Sequence, residues 1–140
     1  MRILVPLDGS SPANDALAYA LEQFGDADIV ALYVMDPVDG ATAWGPGSAD
    51  DWLTTAERRS ETVLENATES AADVSREITT DSAVGRPAKT IVEYVEENDI
   101  DHVVIGSHGR DGIARVLLGS VAETVVRRAP VPVTVVRSTE

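Results

Sequence analysis

Five short runs of β-branched and aliphatic residues, alternating with segments of helical periodicity, constrain this 140-residue chain more than any other feature. The first, Ile3 to Leu7, closes on Pro6, Asp8 and Gly9, the pattern of a buried parallel strand ending in a functional loop. Ser10, Ser11 and Pro12 then open a helix. A serine there caps free amides, Pro12 suits the first turn, and Ala13, Ala16, Leu17, Ala20, Leu21 and Phe24 recur at helical spacing up to Gly25. A second strand is predicted from about Ile29 to Val34, and after Asp36 and Pro37 a Gly-, Ala- and Pro-rich loop runs to near Ser48. From about Ala49 to Val74 the pattern predicts a long helix, with Trp52, Ala56, Val63, Ala67 and Ala71 near one stripe. Glu77 to Val84, rich in threonine, suits a sheet edge. Gly85 and Pro87 precede a helix marked by Ile91, Val92 and Val95 that ends near Asn98. His102 to Ile105 is a fourth strand, a helix runs from Ser120 to about Arg128, and Pro130 and Pro132 lead into a last strand, Val133 to Arg137. Strands and helices in this alternation specify one α/β domain over residues 1–140, a doubly wound five-stranded parallel sheet with helices on both faces.

Composition narrows the function classes. No apolar run approaches the ~20 residues of a membrane-spanning helix, and the N-terminus enters a strand directly, so a cytoplasmic protein without membrane contact is expected. Without cysteine there is no disulfide, thiolate nucleophile or Cys-based zinc site, and His102 and His108 do not make a metal cluster. The 24 acidic residues against 11 basic ones, a net charge of −13, argue against nucleic acid as a partner. Lys89 is the single lysine, and an acidic, lysine-poor surface fits a halophilic cytoplasm, where salt screens self-repulsion; an ordinary acidic mesophilic protein is the alternative.

In an open parallel sheet, ligands collect beyond the carboxyl ends of the strands where the winding direction switches. Two loops there carry candidate residues. One is Pro6, Leu7, Asp8 and Gly9. The other follows strand four through Gly106, Ser107, His108, Gly109, Arg110, Asp111 and Gly112 to Gly119 and Ser120. Glycines let successive amides turn toward an anion, and the helix starting near Ser120 adds its positive end, which together make a phosphate cradle. The spacing is GxxG, nine residues, then GS. It is neither a P-loop, since no lysine follows, nor a GxGxxG dinucleotide fingerprint, which would follow the first strand. Blander roles compete at several positions. Asp8 also suits a loop cap, Arg110 and Arg115 also suit pairing with the many acids, and His108, without a partner, is no catalytic base. His102 reads as a structural residue at a strand end. Trp44 and Trp52 flank the long loop and are placed to close over a bound ligand, though packing on the sheet is the favoured role of Trp52.

With this glycine spacing in this place, the chain resembles the ATP-binding type of the universal stress protein family. The resemblance also takes in Ile3 to Ser10, Leu32 to Asp36 and Ala129 to Val136, in order along nearly the whole chain. It implies strand order 3-2-1-4-5, adenine contacts from Asp8 and the Val34 backbone, a pocket shaped by Pro6 and Leu7, and Gly106 under the ribose. It further implies phosphate contacts from Gly109, Gly119, Ser120 and Val121, a magnesium or manganese ion on the phosphates, and a homodimer through Val133–Val136. The function so implied is ATP binding in stress response or signalling. A slow ATPase or nucleotidyl-transferring enzyme using the same cradle, and an interaction module independent of nucleotide, are the alternatives.

Overall fold

A computed structural model describes residues 1–37, 49–107 and 118–137. Its elements run β1 (Arg2–Leu7), α1 (Ser11–Gln23), β2 (Asp28–Met35), α2 (Ala49–Asp73), β3 (Thr79–Val84), α3 (Pro87–Glu97), β4 (His102–Gly106), α4 (Ser120–Arg128) and β5 (Val133–Val136). The sheet has five strands in the order β3-β2-β1-β4-β5, and every pairing is parallel. Both expectations, the doubly wound sheet and its order, are met. Among the described residues no helix is long and apolar enough to cross a membrane.

Side chains alternate between two apolar cores, one on each face of the sheet. Ile3, Val5 and Leu7 of β1, with Ile29 and Ala31 of β2 and Val104 of β4, meet Ala16 and Ala20 of α1 and Ala67 and Ala71 of α2. Alanines on both helices let their backbones approach the sheet closely. On the opposite face Leu4, Val30, Leu32, Val103 and Ile105 meet Ile91 and Val95 of α3 and Ala122 and Val125 of α4. Ile3, Leu4, Val30 and Leu32 are fully buried, each contributing roughly 1.5 to 3 kcal/mol of transfer free energy.

Helix α1 starts as its sequence dictates: the Ser10 hydroxyl accepts a hydrogen bond from the Ala13 amide at 3.3 Å, and Pro12 lies in the first turn. Its carboxyl end has no basic residue of its own in the last turn. Arg76, beyond α2, closes it instead, donating from Nη1 to the Leu21 carbonyl at 2.8 Å and from Nη2 to those of Phe24 at 3.3 Å and Ala27 at 2.9 Å.

The solvent face of α2 carries Glu57, Glu61, Glu65, Glu69 and Asp73, all exposed and spaced four residues apart. Like charges one helical turn apart repel by a few tenths of a kcal/mol per pair, so this row costs roughly 1 to 2 kcal/mol at low ionic strength. At about 1 M salt the Debye length falls to ~3 Å, shorter than the spacing of the carboxylates. The thermal midpoint should therefore rise by about 5 °C between 50 mM and 1 M KCl. Replacing Glu61, Glu65 and Glu69 by glutamine should remove much of that rise, and a midpoint indifferent to KCl would refute the effect.

Candidate functional site

A proline in a central strand needs an explanation, because it removes a ladder donor. In β1 the residues of even number face β4, as the Asp101 amide donating to the Arg2 carbonyl at 2.8 Å shows. The missing Pro6 donor therefore faces β4. Pairing of β1 with β2 continues to Leu7 and Tyr33, whereas pairing with β4 stops at Leu4 and Val103. Ladder pairing of β1 with β4 thus ends where the winding direction reverses, and the crevice beyond the carboxyl ends of the strands at such a point is the place where open α/β sheets take ligands.

Gly106 lines the same seam for a different reason. A β-carbon there would lie 2.6 Å from the Pro12 carbonyl carbon, 2.7 Å from its oxygen and 2.9 Å from the Ala13 nitrogen. Glycine at 106 is what allows the first turn of α1 to rest on β4. Packing thus gives a reason for this glycine that needs no ribose above it.

On the β1 side, one carboxylate oxygen of Asp8 accepts from the Ser10 amide at 2.9 Å, the turn contact that a capping aspartate makes. The other has no partner among the described residues. Gly9 has φ of +84°, a conformation that glycine adopts without strain, and its missing β-carbon would sit 3.4 Å from Cγ2 of Val63 on α2.

On the β4 side, Ser107 is 5% exposed, and its backbone is held from two directions. Its amide donates to the Val136 carbonyl at 2.9 Å, and its carbonyl accepts from the Gly119 amide at 2.7 Å. This corrects the role expected of Gly119: its amide is engaged by Ser107, not turned to a phosphate. With φ of −65° its backbone conformation is also open to any residue. Gly119 is the N-cap of α4 and supplies no side-chain cap, while its carbonyl accepts from Glu123 at 2.9 Å. Helix geometry leaves the first-turn amides of Ser120, Val121 and Ala122 without intrahelical partners, at the positive end of the helix.

Val34 of β2, Val121 of α4 and Leu118 just before it pack against the apolar core on the α3/α4 face, together with Ala83 of β3. Leu7 does not join them. Its side chain is 4% exposed and belongs to the core on the α1/α2 face, so only its backbone is at the crevice. His102 lies at the amino end of β4, away from the crevice. Its Nε2 is 2.8 Å from the Thr134 hydroxyl, its ring leans on Phe24 with centroids 5.2 Å apart, and burial lowers its pKa below the usual imidazole value. It is the structural residue expected. Trp52 is half-buried on α2. Trp44, His108, Gly109, Arg110 and Arg115 lie outside the described residues. Sequence reasoning passed over Ala83 and Leu118, neither of which carries a local signal, whereas Val63 lies on the predicted helical stripe with nothing to mark it as a neighbour of Gly9.

The universal stress protein family matches residues 1–137. A universal stress protein of Methanocaldococcus jannaschii is 36% identical over 97% of this chain and 81% of its own length. One of Mycobacterium tuberculosis is also 36% identical, over 96% of this chain, which spans 44% of that longer relative. Among solved structures, universal stress protein UspA from Lactobacillus plantarum is 28% identical with a TM-score of 0.83, covering 98% of this chain and 97% of its own. A universal stress protein in complex with cAMP is 26% identical with a TM-score of 0.72, covering 97% of this chain and 96% of its own. With the sheet order, the switch-point crevice and a match over nearly every residue in agreement, the chain belongs to the universal stress protein family.

Proposed function

We propose that this chain is a cytoplasmic ATP-binding protein acting in stress response or signalling, and that it holds the nucleotide in the crevice between β1 and β4. One observation carries the reading: pairing of β1 with β4 ends at Leu4 and Val103, just before Pro6, and the uncapped first turn of α4 begins at this carboxyl edge. Free amides at a helix start bind phosphate oxygens without needing a lysine. The amides of Ser120 and Val121 and the Ser120 hydroxyl would take the phosphates. Asp8 and the Val34 backbone would meet the adenine, with Pro6 beneath it. The relative solved with cAMP supports an adenine nucleotide as the ligand class. A magnesium or manganese ion would ride on the phosphates and neutralise part of their charge. Mass spectrometry of nucleotide released from freshly purified protein, followed by calorimetric titration with ATP, tests the proposal. Protein that carries no nucleotide and has no affinity for ATP would overturn it.

The two sheet edges differ in a way that supports a homodimer through β5. Strand β3 is blunted by Asp81 and by exposed threonines and serine, whereas β5 reads Val-Thr-Val-Val with every residue half-buried. The carbonyls of Pro132 and Val136 accept from Val103 and Ser107, so the even-numbered residues of β5 face β4 and the amides of Val133 and Val135 face outward. Val135→Pro should therefore shift a dimer toward monomer and leave the β4 ladder intact, while Thr134→Pro should damage the fold itself. Light scattering at micromolar concentration decides it. A wild type that is already monomeric would refute the pairing.

A further inference from the structure

Strand β3 is exposed along its length except at Ala83, its one half-buried residue. Which way Ala83 faces follows from its neighbour two residues back. The Asp81 carboxylate accepts from the Tyr94 hydroxyl of α3 at 2.8 Å, so Thr79, Asp81 and Ala83 turn to the α3/α4 face. Ala83 is the register partner of Val34, at the carboxyl end of the sheet. The same apolar cluster contains Ala88 in the first turn of α3, Leu118 and Val121. By alternation from Leu4, which lies in that cluster, Pro6 projects to the same face. Ala83 presents a single methyl beside Val34, and any longer side chain there would reach further over this end of the sheet.

We propose that Ala83 is a specificity-determining residue: its small size sets the room available to the base beside Val34 and so favours a purine over a pyrimidine. The inference rests on the nucleotide reading above, and it adds a residue from the edge strand to a site otherwise built from β1, β2, β4 and α4.

The test is the ratio of ATP to UTP affinity, measured by calorimetry on the full chain. In the wild type ATP should bind more tightly than UTP. Ala83→Val should lower ATP affinity roughly threefold and Ala83→Leu roughly tenfold, each costing UTP less, because the added methyls overlap the larger ring system first. The ratio therefore narrows, which a general loss of stability would not produce. Valine is well tolerated in a strand, so Ala83→Val carries the test if the leucine variant fails to fold. Ser82→Leu, on the opposite face of the same strand, should leave the ratio unchanged. A wild type that binds ATP, with an unaltered ratio in the Ala83→Val variant, would overturn this inference alone. A wild type that binds no nucleotide would overturn it together with the reading on which it rests.

Discussion

Replacing Gly106 with alanine should lower the thermal midpoint by about 10 °C in protein free of any ligand. The added methyl would meet the backbone of Pro12 and Ala13 at 2.6 to 2.9 Å. A flexible side chain could yield to such a contact, but the first turn of a helix docked on a strand cannot move without disturbing the core beneath it. Ala13, Ala16 and Leu17 of α1 are all buried against that core. Overpacking of this kind costs about 3 kcal/mol, which for a domain of this size corresponds to the stated fall in midpoint. Calorimetric or circular-dichroism melts of the two apo proteins measure it. If the variant melts within 2 °C of the wild type, α1 does not need glycine at this position, and the residue's role has to be sought in the ligand.

The second large effect is on binding. Ser120→Pro removes an amide and a hydroxyl from the start of α4 at once and should leave the helix standing. Proline is favoured at the first helical position, where the amide has no intrahelical partner. Gly119, with φ of −65° and ψ of 158°, already has the extended conformation that a following proline requires. The two backbone bonds of Gly119, from its amide to Ser107 and from Glu123 to its carbonyl, are untouched by the substitution. A hydrogen bond to a charged group contributes roughly 1.5 to 3 kcal/mol, so loss of the pair should lower ATP affinity by about a hundredfold. Ser120→Ala loses the hydroxyl alone and should lose about tenfold. Titration of the three proteins would show this order. An ATP affinity in Ser120→Pro within twofold of the wild type would remove α4 from the binding site.

Most of the architecture can be read from local signals. Ser10 and Pro12 announce the start of α1, and β4 is legible as an apolar run closed by glycine. Threonines mark β3 as an edge, though Ile78 precedes the strand instead of lying in it. What cannot be read locally is any residue whose reason lies in a distant segment. Pro6 looks like a strand terminator until the sheet order shows that its missing donor faces the seam where β4 departs. Gly106 sits in a glycine-spaced loop and so reads as part of a cradle, yet its lack of a side chain is explained by Pro12 at the other end of the chain. Gly119 reads as a phosphate donor, and only the backbone geometry reveals that Ser107 has claimed its amide. Leu7 and Pro6 are neighbours with the same expected role, and strand alternation sends their side chains to opposite faces. Ala83 gives no signal at all, since a small apolar residue in an edge strand is unremarkable without its register.

Arg76 bears on the order in which the chain assembles. The three carbonyls it satisfies belong to the end of α1 and the turn into β2, and the guanidinium reaches them only after the whole of α2 has been made. During synthesis the first β–α–β unit therefore leaves the ribosome with its helix terminus still hydrated. It can form, fray and re-form until residue 76 arrives. The arginine then adds three side-chain hydrogen bonds that tie the end of α1 and the turn into β2 to the segment beyond α2.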